Sequence, residues 1–440
     1  MNSKTSKPRL AMALLSGSLL FALAACEEPE PILQGVREDI RSGQDGAFEN
    51  QSRPIRLATA TNNANWAQGP GSAAFRTAHP SLSAAPQLAW TASIGEGDGR
   101  RQRITAAPVV ADGRVYTLDA SSRVTATTTS GQPAWSASIL PPADSDGQAT
   151  GGGLSYDNGT VFVSSGFGVL TAFDAATGAE KWRQELGSTG SGTPTVSGGL
   201  VYLVAGDDTG WAVNAETGRI VWQVSATPSA SNVLGAPAPV VTPELSVFAF
   251  GSGDLVATFK RGGLRRWDAS VAGQRVGRAT SRIVDVTGSP VVVGNRIYVG
   301  NHSGRTVALD TDTGERLWTL KEGAVGQVWP AGDSLFSVTD LSELARIDAS
   351  DGSLIWKVKL PGFLKDKPRK RGAIVAHYGP ILAGGQLVLA SNDGLIRFYN
   401  PEDGSLIRTI EVSGGASAAP VVAGGTLYIV SSKGVLHAFR

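Results

Sequence analysis

The ten-residue stretch FDAATGAEKW, residues 173–182, returns as VNAETGRIVW (213–222), LDTDTGERLW (309–318) and IDASDGSLIW (347–356). Each copy leads from the end of an apolar strand through an Asx-type turn to a glycine and then a tryptophan. A motif that repeats every ~40–50 residues restricts a chain to a solenoid or a propeller, because each unit must bury its apolar faces against its neighbours. The fullest unit, GSPVVVGNRIYVGNHSGRTVALDTDTGERLW (288–318), spells strand, Gly-Asn turn, strand, Ser-Gly turn, strand, Asp-x-x-Thr-Gly turn and strand. Four short antiparallel strands are the content of one propeller blade.

The chemistry of the turn follows from its residues. Asp310 is placed to accept backbone N–H groups two and three residues on, with Thr313 in support. Gly314 supplies the positive φ that the reversal needs. Trp318 then lies on the outer strand, where it covers the gap to the next blade and buries roughly 150–250 Å². The same outer position is filled by Trp90, Trp135, Trp182, Trp222, Trp267 and Trp356, and in one further unit by Arg408. TTTSGQPAW and FKRGGLRRW keep the glycine and tryptophan but lose the leading Asp. The chain ends in VLHAFR, which matches VLTAFD (169–174) but stops before its turn and tryptophan strand; PQLAWTASI (86–94) is that missing strand at the other terminus. The predicted fold is therefore all-β. It is an eight-bladed propeller of four-stranded antiparallel blades over residues 84–440, closed by an N-terminal strand that completes the C-terminal blade. A length of 440 residues by itself suggests several domains, an expectation that the periodicity overrides.

Lys4, Lys7 and Arg9 precede an apolar run over residues 12–22, and LAAC follows at 23–26. The run is too short to span a bilayer comfortably, so residues 1–25 read as a signal peptide. Small residues before Cys26 resemble the lipobox of bacterial lipoproteins. In those proteins the cysteine is lipidated, palmitate being one of the acyl chains, and becomes the mature N-terminus. Cys26 is the one cysteine of the chain. By the same resemblance Glu27 implies sorting to the outer membrane, with the body lipid-anchored on the periplasmic face. Residues 26–83 open with the acidic, Pro-rich EEPEP and read as a flexible tether. Trp66 and Phe75 mark a part of it expected to dock on the fold.

Charge and motif content exclude most chemistry. With 39 basic and 38 acidic residues there is no net basic field for nucleic acid. His79, His302, His377 and His437 have no metal-ligand spacing. The glycine runs lack the Gly-Lys-Ser/Thr of a phosphate loop, and no nucleophile elbow is present. Asp207 and Asp208 read as a solvated hairpin tip. KDKPRKR (365–371) and GRRQRIT (99–105) read as exposed basic loops, either solubilising or able to dock on an acidic partner or on phospholipid headgroups. An outer blade strand could also pair with a nascent β-strand.

The A-x-D-x-x-T-G-x-x-x-W repeat resembles the pyrroloquinoline quinone (PQQ)-type propeller repeat. With the lipobox and one eight-bladed domain, the chain resembles the BamB family of outer-membrane β-barrel assembly lipoproteins over nearly all of residues 86–440. The resemblance implies a non-catalytic scaffold, monomeric within a hetero-complex. Such a scaffold docks on a periplasmic POTRA domain of a BamA-like barrel subunit, helps insert outer-membrane proteins and can meet nascent β-barrel chains. SRIVDVTGSPVVVGNRIYV (281–299) resembles the family's docking segment, which assigns Arg282 and Asp285 to the partner. The preceding family loop, Leu-x-Leu-Arg-Gly, is SNVLG here (231–235). Gly235 is kept, but Val233 and Leu234 replace the second Leu and the Arg, which implies a more apolar contact or a changed partner surface. Pairing of Arg282 and Asp285 with each other or with loop backbone is the other reading. PQQ-dependent dehydrogenases share the repeat and blade number, hold the quinone and Ca²⁺ in the central channel, and often carry a lid of two neighbouring cysteines. One cysteine cannot make that lid, and neither cofactor nor metal is expected. A periplasmic quinoprotein or small-ligand binder using the channel is the alternative.

Overall fold

In blade 5, the strands Val291–Val293, Arg296–Gly300, Thr306–Asp310 and Arg316–Leu320 pair in sequence order, all antiparallel. Ile297, Val299, Val307 and Leu309 are buried, whereas the fourth strand exposes alternate residues. The contrast follows from position. The inner strands are covered on both faces by neighbouring blades, and the fourth has solvent on its outer side. The computed structural model describes residues 48–69, 79–145, 147–189, 192–229, 236–271, 273, 275 and 283–440. It contains eight such four-stranded sheets. Blades 1 to 7 span residues 109–138, 152–185, 195–225, 240–270, 291–320, 329–359 and 377–411. Blade 8 combines residues 421–439 with Leu88–Ser93, which pairs antiparallel to Val435–Phe439 with Trp90 opposite Ala438. The closure read from the two termini is the one observed.

Blades are joined by a clasp repeated round the ring. Each outer-strand tryptophan lies on the turn glycine of the next blade: Trp90 on Gly131, Trp135 on Gly178, Trp182 on Gly218, Trp222 on Gly263, Trp267 on Gly314, Trp318 on Gly352 and Trp356 on Gly404. At these glycines φ is positive, and a Cβ would come within 2.5–2.8 Å of the indole. Glycine is therefore required twice over, for the turn and for the approach. Every indole Nε1–H also donates to the carbonyl that opens that turn, at 3.0–3.2 Å, as from Trp182 to Ala215 and from Trp267 to Thr311. On the adjacent strand of their own blade six of the seven tryptophans face an alanine, for example Ala172 opposite Trp182 and Ala308 opposite Trp318. Asp310 Oδ1 accepts the N–H groups of Asp312 and Thr313 and the Thr313 hydroxyl, each at 3.0 Å. Where the Asp is lost, in blade 4, Gly263 N–H still closes the turn on Phe259 O at 3.1 Å.

Arg408 has a structural reason. The next blade is blade 8, whose outer strand enters from residue 87 rather than from a turn after the third strand: Gln87 N donates to Arg440 O and Arg440 N to Gln87 O. An indole would find no glycine turn to cover. The guanidinium instead lies 4.3 Å from the Phe398 ring centroid and donates to Gln386 Oε1 at 2.8 Å.

The first residues of the packed unit lie ahead of the first repeat. Glu49–Arg440 forms one compact unit, whereas the sequence places the boundary of the repeats at residue 84. Hydrogen bonds tie residues 50–68 and 79–80 to blades 6, 7, 8, 1, 2 and 3 in turn. Arg53 pairs with Asp348 at 2.7 Å, Gly385 N donates to His79 Nε2 at 2.8 Å, and Asn63 Nδ2 donates to Val422 O at 2.7 Å. Trp66 exchanges backbone bonds with Val110, Ala67 O accepts from Tyr156 N, and Gln68 exchanges bonds with Val196. One apolar cluster accordingly runs through blades 6, 7, 8 and 1 and includes Trp66, with Ile55 and Leu57 packed against it. The expected docking of Trp66 is observed; Phe75 lies outside the described residues.

Candidate docking face

Antiparallel order puts the first and third turns of blades 1 to 7, the third being the Asx-Gly turn or its variant, at one end of the ring. The middle turn and the link to the next blade lie at the other. These ends are the turn face and the link face.

The turn face is crossed by the chain's own N-terminal segment. Its seat is Arg346, which is fully buried. At the equivalent third-strand position most other blades carry Ala126, Ala172, Ala212, Ala257, Ala308 or Ala438, each paired with the outer tryptophan. In blade 6 Arg346 replaces that alanine opposite Trp356. It donates to the carbonyls of Arg53, Pro54 and Glu402 and to Ser334 Oγ. Further along the segment, Trp66 stacks on Trp329 with centroids 6.0 Å apart and planes 12° apart, and Gln68 is only 1% exposed. Trp329 and Val110 belong to the first, innermost strands of blades 6 and 1, so Trp66 bridges the inner ring on this side. Among the described residues no group of three His, Cys, Asp or Glu side chains could hold a metal ion.

The link face carries Asp208 and Asp285, two of the positions singled out from sequence. The links after blades 3 and 4 are joined, Ala238 N donating to Ser289 Oγ at 3.0 Å. Asp208 is not a solvated tip, as the sequence suggested, but is 2% exposed. Its carboxylate accepts Ser229 N–H from the following link and Gly251 N–H from blade 4, at 2.8 and 2.9 Å. Arg275, in the link after blade 4, forms ion pairs with Asp340 at 2.9 Å and Glu322 at 2.5 Å. Glu322 also pairs with Lys357 at 3.2 Å. Asn301 Nδ2 holds the start of the same link through Val271 O at 2.8 Å, and Ser303 O accepts Arg275 N–H at 2.8 Å. Burial alone would push the Asp340 carboxyl up. The Arg275 guanidinium and Gly323 N–H outweigh it and hold the group below the usual carboxylate range. The Arg275 guanidinium is correspondingly held protonated, first by its bond to Asp340.

Asp285 is 4% exposed, and its carbonyl accepts His302 N–H at 3.1 Å. It is buried against the middle turn of blade 5. Cys26, Val233, Leu234, Gly235 and Arg282 lie outside the described residues. The fold thus brings together the two links that carry the expected docking residues and fixes them at Asp208, Arg275 and Asn301. Sequence reasoning missed Arg275, Asp340 and Arg346. Only Arg346 left a signal, as the one arginine in a column of alanines; the partners of Arg275 lie 47 and 65 residues away.

A sequence model of the family described as "Outer membrane protein assembly factor BamB" matches residues 120–358 and 342–440. Outer membrane protein assembly factor BamB of Shewanella oneidensis is 24% identical over 80% of this chain and 88% of its own length. The crystal structure of BamB from Moraxella catarrhalis is similar with a TM-score of 0.63 at 20% identity, covering 81% of this chain and 98% of that one. A quinohemoprotein alcohol dehydrogenase from Pseudomonas putida also reaches a TM-score of 0.63, at 15% identity over 86% of this chain and 80% of its own. At such identities the two structures share the propeller fold and do not separate scaffold from enzyme.

Proposed function

We propose, because the chain belongs to the outer membrane protein assembly factor BamB family, that it is a non-catalytic scaffold of outer-membrane protein assembly. In this reading Cys26 carries the lipid anchor on the periplasmic face of the outer membrane. The link face docks on a POTRA domain of a BamA-like barrel subunit, where it supports insertion of outer-membrane proteins. No helix among the described residues is long and apolar enough to cross a membrane.

The observation that carries this reading is the asymmetry of the faces. The turn face is crossed by residues 50–68, which bond blades 6, 8 and 1 in turn. The link face keeps the two adjoining links after blades 3 and 4, each held at its base by side chains and each long enough to present a tip. Val233, Leu234 and Arg282 are proposed as tip contacts. Asp285, being buried, is proposed to shape its link rather than to touch the partner. The bridging of the inner ring by Trp66 and Gln68 argues against the channel as a cofactor seat reached from that side.

Arg282→Glu combined with Leu234→Asp tests the reading. Co-purification with the barrel subunit is expected to fall at least about tenfold, as for central interface residues, with the melting temperature unchanged. Undiminished co-purification would remove these links from the interface. A large thermal shift on adding PQQ and Ca²⁺ would instead favour the channel.

A further inference from the structure

The link between blades 6 and 7 departs from the repeat. Residues 362–375 form a projecting hairpin, closed by Leu364 N–H to Ala373 O and Val375 N–H to Gly362 O, both at 3.0 Å, and by a bridge between Phe363 and Ile374. Its tip is a short 3₁₀ turn, Pro368–Lys370, that buries no residue. Asp366 pairs with Arg371 at 2.9 Å. Among the described residues Lys365, Lys367, Arg369 and Lys370 have no carboxylate within ion-pair distance. Beside these cations Phe363, Leu364 and Ile374 are 39%, 47% and 68% exposed. Cations flanking exposed aromatic and branched side chains on one protrusion suit a surface of anionic phosphates over an apolar layer. An acidic protein face would satisfy the charges but leave the apolar side chains unmatched.

A second observation places the hairpin relative to residues 50–53. Gln51 N donates to Ile355 O at 2.9 Å, and Asn50 exchanges side-chain bonds with the Lys357 backbone at 2.9 and 3.0 Å. Arg53 lies further back at Asp348. The segment therefore runs antiparallel to the outer strand Leu354–Lys359, and its upstream direction points toward Lys359, where the hairpin begins. Asn50, Gln51 and the strand that leads into the basic hairpin lie side by side on blade 6.

We propose that residues 362–375 are a second membrane contact, binding the headgroup phosphates of an anionic phospholipid bilayer through Lys365, Lys367, Arg369 and Lys370. Phe363, Leu364 and Ile374 enter the interfacial layer. The hairpin then turns blade 6 toward the membrane and leaves the links after blades 3 and 4 free for a partner. The proposal rests on the chemistry of the hairpin and not on the lipidated reading of Cys26.

Flotation of the full chain carrying Cys26→Ser tests this, using phosphatidylcholine vesicles with and without about one-third phosphatidylglycerol. At least about fivefold more protein is expected on the anionic vesicles, and the excess should vanish in about 0.5 M salt. Reversing Lys365, Lys367, Arg369 and Lys370 to Glu should abolish the excess without moving the melting temperature, because all four are exposed. Phe363→Ser with Ile374→Ser should reduce it severalfold. Equal flotation on the two vesicles, or an excess that survives the charge reversal, would overturn the proposal. So would capture of an acidic envelope protein that needs these cations in the absence of any anionic-vesicle excess. Failure of the anchor is read separately, as loss of membrane association by the chain with Cys26 intact, so the two readings fail independently.

Discussion

The two faces of the ring are held together by different chemistry. At the turn face one device recurs: an indole covers a glycine of positive φ and donates to the carbonyl before it, from Trp90 on Gly131 round to Trp356 on Gly404. At the link face an Asp or Asn of the middle turn ties a link, but the residue, its partner and the direction of the bond vary. Asp119 takes Glu96 N–H, Asp208 takes Ser229 N–H, Asn301 donates to Val271 O, Asp340 takes Gly323 N–H, and Asn392 takes Ala376 N–H. The clasp demands a backbone conformation and a close approach that only glycine allows, so the sequence must repeat. A polar tie asks only for a donor or acceptor within reach, so residue and spacing can drift. Links freed from the repeat are where blade-specific loops can be carried.

Breaking a clasp should have the largest effect. Trp222→Ala is expected to cost about 3–5 kcal/mol, read as a lowered midpoint in denaturant unfolding. An equal loss for Asn301→Ala would erase the distinction between the faces. Next is the seat of the N-terminal segment. Arg346→Ala removes a buried guanidinium that holds Arg53, Pro54 and Glu402 carbonyls and should cost about 2–3 kcal/mol. It should also open residues 49–69 to limited proteolysis while the blades stay resistant.

At the link face Arg275→Gln should cost less, about 1–2 kcal/mol at neutral pH. Asp340 is held below its unfolded value, so its stabilisation is full above about pH 4 and is lost as the pH falls through the lower folded value. The difference in melting temperature between wild type and Arg275→Gln should therefore shrink on acidification below about pH 4. A difference that grows there would contradict the ion pair. Arg408→Trp should have the smallest effect, within about 0.5 kcal/mol, because blade 8 offers no turn for an indole to cover. A gain as large as one clasp would show that the Gln87–Arg440 pair can replace the turn.

The blade count and the closing strand were legible because they rest on local rules: a strand of alternating burial, a turn that needs glycine, and a tryptophan at fixed spacing from it. The departure at Arg408 was visible too, though its cause is the absent turn between Arg440 and Gln87. The candidate site was legible only in part. The expected docking segment points to the link that Arg275 anchors, yet the burial of Asp285 and Asp208 could not be foreseen. Adjacent carboxylates on a turn look solvated until the neighbouring blade covers them. The course of residues 50–68 was hidden for the same reason, since backbone pairing of Trp66 with Val110 leaves no residue signature.

By itself the sequence determined the ring, its eight units and the way it closes, because each unit repeats the same short-range geometry and only a closed circle leaves no blade unpaired. Tertiary structure decided which face the chain covers with its own N-terminal segment and which links are clamped. Those outcomes depend on pairs such as Arg346 with Arg53 and Arg275 with Asp340, separated by 293 and 65 residues. Their energy comes from burial and charge neutralisation that exist only once the blades have assembled.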